Sequence, residues 1–193
     1  MLFETITWKD EVIHICISEF RNSTHLDRDK LLNLASSMSE LVLAVQFFNG
    51  AMIVDELHLL SAAQNALNAW RGDYMRSRSL DVEIVIYASA QHQIGRALEL
   101  MGVSDKTVTV AVVALGDDEQ KVQTSVLDLE QAIGNEISPA FEMTVEKLKT
   151  LMAAFHISES EILLFLDKDD IPSRQLALSK CLVSRISQVA TIS

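Results

Sequence analysis

The chain has 193 residues, of which 49% are hydrophobic and 22% are charged, and it contains only two prolines and six glycines. This composition excludes a disordered or low-complexity protein, and the length predicts a single domain over residues 1–193. The formal net charge of -11 excludes a broad nucleic-acid-binding surface, so any such contact has to be local.

The N-terminal half alternates between predicted strands and helices. β-Branched runs indicate strands, and apolar residues three and four apart indicate helices. The elements are, in order, a buried strand over 11–20 with a ladder partner from later in the chain, a helix over 26–39, a strand over 41–48 that ends at Asn49-Gly50, and a helix from the N-cap Asp55 to near Gly72. Segment 79–88 fits both a strand and a helix. We favour a helix, followed by another over 93–101.

The C-terminal half contains one strongly apolar strand and several capped helices. The predicted elements are a central strand over 106–115, a helix over 119–133 capped at Asp117-Asp118, a short strand over 137–143, a helix over 144–155, a capped turn beginning at Ser158 and a final helix after Pro172. This order lacks the strict period of a parallel α/β fold. The predicted fold class is therefore α+β, with a small mixed, mostly antiparallel β-sheet and helices packed on it.

The polar motifs do not match a catalytic or metal site. Asp117-Asp118 and the acidic run 167–170 are interpreted as a helix cap and a solvated turn, and Cys16 and Cys181 as buried, reduced thiols. We expect no enzymatic activity, catalytic residue, metal, cofactor or small-molecule substrate. The apolar runs are too short for a membrane span, so we expect a soluble intracellular protein without membrane contact.

Four of the sixteen basic residues fall within one fifth of this acidic chain: Arg71, Arg76, Arg78 and Arg96. Such guanidinium groups can hold phosphates of a single-stranded RNA end. Alternatively, they pair with nearby carboxylates on a solvated face. Glu83 stands in an apolar segment, so it either faces solvent or is buried with a partner such as Arg76 or Arg78.

The apolar residues of the last predicted helix cover an arc wider than packing on one core requires. Leu176, Leu178, Leu182, Val183, Ile186 and Val189 form this arc. Two interpretations remain open: the helix is deeply buried against the sheet, or part of the arc docks on another protein.

Several motifs taken together resemble the kinase-binding subunit family of the KEOPS complex. They are Val45-Gln-Phe-Phe-Asn49, residues 51–55, Met75-Arg-Ser-Arg-Ser-Leu80, Glu83-Ile84, Gln93-Ile94, Ala97-Leu98, Gly102-Val103 and, more weakly, residues 178–187. The resemblance covers about 60% of the chain, and the region before Leu41 cannot be assigned by it. One departure is Ala90, because many relatives have proline after the serine at the position of Ser89.

The resemblance implies a non-catalytic adaptor that supports threonylcarbamoyladenosine modification of tRNA. It implies two partners, the atypical kinase/ATPase of the complex and the single-stranded 3′ CCA end of tRNA. We expect a cytoplasmic location, and whether a eukaryotic version also enters the nucleus is left open. A stand-alone RNA-end-binding module is the alternative. By similarity, the C-terminal helix meets the kinase through Leu178, Leu182, Arg185 and Ile186. The candidate RNA-binding residues are Arg71, Arg76, Ser77, Arg78 and Arg96.

Overall fold

The computed structural model describes residues 1–9 and 11–190, with the backbone alone for Trp8. These residues divide into two compact units, Met1–Ala51 with Gly102–Ala140 and Met52–Met101 with Phe141–Ser193. In chain order the elements are β1 (Leu2–Trp8), β2 (Glu11–Arg21), α1 (Arg28–Met38), β3 (Ala44–Asn49), α2 (Glu56–Arg71), α3 (Leu80–Ser89), α4 (Ile94–Met101), β4 (Thr109–Gly116), α5 (Glu119–Ala132), α6 (Val145–Ala154), α7 (Glu159–Leu164) and α8 (Ile171–Gln188). The α+β class is confirmed, and the single domain over 1–193 stays a prediction.

The first unit is a four-stranded sheet in the order β1-β2-β4-β3, with α1 and α5 packed against it. All three strand pairs are antiparallel, which confirms the mostly antiparallel sheet; no parallel pair occurs among residues 1–9 and 11–190. Inward-facing residues of β2, β3 and β4 pack with the apolar stripes of α1 and α5, and this core contains Cys16, Phe20, Leu31, Phe47, Val112, Val126 and Leu129. Strand β4 occupies an interior position because residues 110–115 are apolar on both faces.

Two strand predictions are corrected by the first unit. The sequence prediction missed β1, an edge strand that pairs with β2 from Leu2 opposite Ile17 to Trp8 opposite Glu11, so one partner of β2 precedes it in the chain. The predicted strand over 137–143 is absent. This segment instead makes an isolated bridge between Glu136 and Phe20 and contains a cis Ser138–Pro139 peptide bond. Pro139 has no N–H to donate to a ladder, which is why the short pairing stops there.

The second unit consists of helices. Asp55 caps α2 as predicted, and its carboxylate accepts hydrogen bonds from the His58 N–H at 2.8 Å and the Ser179 hydroxyl at 3.0 Å. Segment 79–88 is helical, as favoured. Residues 83 to 89 of α3 are all buried, and this burial on every side explains why their sequence lacks a clear apolar stripe. The predicted capped turn at Ser158 has a full capping box with Glu161 and continues as α7.

The structure also bears on the predictions for the two cysteines and for membrane-spanning segments. Cys16 and Cys181 are free and buried, as predicted, and burial raises the pKa of Cys16 to about 12. Across the described residues, no helix combines the length and the apolar character that crossing a bilayer requires.

Candidate functional site

The apolar residues predicted to contact a partner on α8 are core residues. Leu178, Leu182 and Ile186 have no exposed surface, because α8 packs on α2, α3, α6 and α7. A side chain enclosed by its own chain cannot meet a partner without rearrangement. The folded chain therefore does not present these three side chains at its surface, and their direct contact with a kinase stays a prediction. The arc is therefore buried only in part: Leu178, Leu182, Ile186 and Val189 are buried, against helices and not against the sheet, whereas Leu176 has 46% of its surface exposed.

Arg185 stays near the surface and clamps two neighbouring helix ends. Its guanidinium donates to the carbonyl oxygen of Phe155, to that of His156 at 2.9 Å and to Glu161 Oε1 at 2.7 Å. The two carbonyl groups follow α6, and Glu161 belongs to the capping box of α7. The Ser158 N–H and the Arg185 guanidinium hold the pKa of Glu161 down to about 2. Arg185 therefore fixes α7 against α8.

The end of α7 exposes three consecutive large apolar residues. Leu163, Leu164 and Phe165 have 57%, 79% and 41% of their surface exposed. Lys180 of α8 stands over the Phe165 ring, with its Nζ atom 6.0 Å from the ring centre. The apolar run that follows the Ser158 cap is visible in the sequence. From the sequence alone, this run is interpreted only as too short to span a membrane, not as an exposed surface. We call Leu163, Leu164 and Phe165 the α7 patch.

An open cleft of about 570 Å³ adjoins the α7 patch. Leu164 and Phe165 line it together with Ala90, His92, Glu161, Cys181, Ser184, Arg185, Gln188 and Val189. Cys181 is not an activated nucleophile, because burial raises its pKa and its thiol faces the main-chain oxygen of Glu161 at 3.7 Å. Apolar side chains beside one ion pair suit the docking of another protein's surface.

The predicted RNA-binding segment is a loop held by a buried carboxylate. Glu83 has no exposed surface, and it accepts hydrogen bonds from the N–H of Arg76 at 3.0 Å, the N–H of Ser77 at 2.8 Å and the Ser77 hydroxyl at 2.7 Å. Of the alternatives for Glu83, burial with a partner is confirmed. The bonds to Arg76 come from its main-chain N–H, so Glu83 fixes the course of the loop.

The four arginines occupy three different elements of the second unit. Arg76 and Arg78 are exposed on the loop before α3, Arg71 is half-buried at the end of α2, and Arg96 is exposed on α4. The Arg76 guanidinium donates to the carbonyl oxygen of Val189 at 3.0 Å. Neither Arg78 nor Arg96 has a carboxylate within ion-pair distance in the described part of the chain. Ser77 is largely committed to Glu83 and to the Ser79 carbonyl oxygen, 2.7 Å away.

Comparison with known families gives one match. The family model described as kinase binding protein CGI-121 matches residues 19–188, which include the loop before α3, the α7 patch and all of α8. The match also covers most of the region before Leu41 that the resemblance left unassigned.

Proposed function

The chain belongs to the CGI-121 family of kinase-binding proteins, as its sequence resemblance predicted, and we propose that it is a non-catalytic adaptor subunit of the KEOPS complex. In this role it binds the atypical kinase/ATPase of the complex and the 3′ CCA end of tRNA. It thereby supports the threonylcarbamoyladenosine modification without making or breaking bonds itself. The observation on which the kinase part rests is the exposed α7 patch beside the cleft.

The α7 patch supports kinase docking because its exposure is costly unless a partner covers it. Three adjacent large apolar side chains in water are unusual for a helix end, where polar residues normally follow the cap. Along α8, residues 176, 180, 184 and 188 are exposed at helical spacing, and the last two line the cleft. A kinase segment seated there would cover the α7 patch and meet this edge of α8, which consists of Leu176 and the polar residues Lys180, Ser184 and Gln188.

Arg185 keeps its predicted relevance to kinase binding in a different role. It contributes by fixing α7, and with α7 the orientation of Leu164 and Phe165, through its bonds to the α6 end and Glu161. Leu178, Leu182 and Ile186 contribute by forming the core beneath α8.

The proposed kinase binding is tested by calorimetric titration of the purified kinase with wild type and with the Leu164→Arg variant. We expect the dissociation constant to rise by about thirtyfold or more, since removing a central apolar side chain from an interface typically costs ~2 kcal/mol or more. Leu127→Arg is the matched control, because Leu127 of α5 is a helical leucine with 56% of its surface exposed. Equal affinity of wild type and Leu164→Arg would refute docking at the α7 patch. Absence of any complex between wild type and kinase would refute the adaptor role.

We call the proposed binding of the tRNA 3′ end the RNA arm of the proposal. It rests on the exposed guanidinium groups of Arg78 and Arg96 in a strongly acidic chain. A local positive surface attracts phosphates even where the average potential is negative, at short range and low salt. The Glu83-held loop supports this arm because it presents Arg78 from a fixed backbone. Arg76 is less suited to phosphate binding since its guanidinium bonds the end of α8.

Arg78→Ala with Arg96→Ala tests the RNA arm against tRNA that carries an intact CCA end. We expect weaker binding and a salt dependence flattened by about 0.7 for each phosphate that the variant no longer binds. Arg28→Ala with Lys149→Ala removes the same charge from other exposed positions and is the control. An unchanged salt slope in the first pair would refute the arm. Full tRNA affinity without any kinase binding would favour the stand-alone RNA-end-binding module.

A further inference from the structure

The side chain of Tyr74 is held in the loop that follows α2 with half of its surface open to solvent. Its exposed fraction is 49%. The Tyr74 N–H donates to the Ala69 carbonyl oxygen at 3.0 Å, and the Gly72 N–H donates to the Asn68 carbonyl oxygen at 2.9 Å. The chain reverses there through Asp73, whose φ is +55°. The loop is therefore anchored by its main chain to the last turn of α2.

One side of the Tyr74 ring lies directly on Gly72. A Cβ atom added to Gly72 would stand 2.5 Å from Tyr74 Cδ1 and closer still to Cε1. Only glycine leaves room for this approach, and Gly72 has an ordinary φ of -86°, so the need for glycine is steric. The ring is thus supported by Gly72 on one side, while 49% of the residue's surface is open to solvent. An aromatic ring held this way loses little conformational entropy when something stacks on it.

The supported ring lies beside the loop that presents the exposed arginines. Tyr74, Arg76 and Arg78 all belong to the segment between the end of α2 at Arg71 and the start of α3 at Leu80. Arg78 follows Tyr74 by four residues on the Glu83-held loop. Proteins that hold single-stranded nucleic acid combine these two elements, a cationic group for the backbone phosphates and an aromatic side chain for an unstacked base.

We propose that Tyr74 is a stacking residue for an unpaired base of an RNA end whose phosphates meet Arg78. The inference rests on the RNA arm of the proposed function and adds the residue that recognises the base. Gly72 lacks a Cβ atom and so leaves the space that the Tyr74 ring occupies. A duplex offers no unstacked base to this ring, so Tyr74 favours single-stranded ends over paired ones.

The test measures binding of a fluorescein-labelled single-stranded RNA hexamer that ends in CCA, and of the same hexamer with abasic terminal residues. Tyr74→Ala is expected to weaken binding of the first hexamer by about tenfold, since stacking on an aromatic residue has effects of this order. Tyr74→Phe keeps the ring and should keep the affinity, whereas Tyr74→Leu keeps apolar bulk without a ring and should behave as alanine does. The abasic hexamer should bind wild type and Tyr74→Ala equally.

Salt dependence separates Tyr74 from the arginines. Stacking releases no counterions, so Tyr74→Ala should leave the salt slope unchanged while Arg78→Ala flattens it. Gly72→Ala provides a second variant that retains the tyrosine but displaces its ring, and it should weaken hexamer binding as well. If wild type binds the hexamer and both Tyr74→Ala and Tyr74→Leu bind equally well, stacking is refuted and the RNA arm stands. If wild type does not bind the hexamer, both the stacking role of Tyr74 and the RNA arm are refuted.

Discussion

His58 is fully buried in the second unit, and its protonation should destabilise the fold at mildly acidic pH. Its Nδ1 atom accepts the Val54 N–H at 3.3 Å, its Nε2–H donates to the Ala88 carbonyl oxygen at 2.7 Å, and its ring packs edge-on against Phe155. A second proton would have to enter at Nδ1, where it breaks the bond to Val54 and buries a charge. Burial is the main cause that lowers the pKa of His58 to about 4, with the positive charge of Lys147 adding to it.

The magnitude follows from the difference between the folded and unfolded imidazole. The unfolded ring binds its proton near pH 6.5 and the folded ring near pH 4, so the stabilisation is complete above pH 6.5. It is lost progressively as the pH falls from 6.5 towards 4, because only the unfolded state takes up the proton there. At ~1.4 kcal/mol per pH unit, the loss amounts to about 3 kcal/mol. Below that window both states are protonated and this term stops changing.

Urea unfolding followed by circular dichroism measures this loss when wild type is compared with His58→Gln. Glutamine does not titrate, so the free energy of unfolding of wild type minus that of the variant isolates His58 from the carboxylates and from the net charge of -11. This difference should decrease by about 3 kcal/mol between about pH 7.5 and pH 4. A constant difference, or a His58 ring resonance that titrates near pH 6.5 in NMR spectra, would refute the reasoning.

Three further predictions concern the surroundings of the proposed surfaces. Glu83→Gln places an amide N–H₂ group opposite the N–H donors of Arg76 and Ser77, where the carboxylate had accepted hydrogen bonds. The free energy of unfolding should therefore fall by about 1–3 kcal/mol. An unchanged midpoint of urea unfolding would contradict the role of Glu83. Ile186→Glu buries a charge in a fully enclosed position and should unfold the isolated chain, whereas a folded variant that fails only in kinase binding would restore Ile186 as a direct contact. Ala90 has a φ of +50°, and its N–H donates to the Tyr87 carbonyl oxygen at 2.9 Å. Ala90→Gly should therefore stabilise the chain by about 0.5–1 kcal/mol and Ala90→Pro should destabilise it, as thermal unfolding would show; the opposite order would mean that the turn differs.

Elements with strong local signals were predictable from the sequence. Asp55, Asp118 and Ser158 each accept a main-chain hydrogen bond at the helix start where the sequence predicted a cap. These signals act over three residues, so no tertiary information is needed to recognise them. Strand β1 was missed because its interior residues are partly exposed at a sheet edge and form no continuous apolar run.

The candidate site was predictable only in part, because exposure depends on the neighbours that an element finds. A wide apolar arc on α8 is compatible with both a core helix and a docking helix, and the choice depends on α2, α3, α6 and α7. The same limit applies to Glu83. Its burial could be inferred from an apolar surrounding sequence, but its bonds to the N–H groups of Arg76 and Ser77 depend on how the loop folds back.

Both proposed binding surfaces lie in the second unit and meet at one residue of the chain. Arg76 belongs to the loop proposed for RNA, yet its guanidinium bonds the carbonyl oxygen of Val189, which lines the cleft beside the α7 patch. Replacing the Arg76 side chain therefore removes a positive charge from the loop and a hydrogen bond from the end of α8 together. Arg78, by contrast, is exposed without an ion pair in the described residues. Variants of Arg78 and Leu164 consequently separate the two binding activities, whereas a variant of Arg76 would confound them.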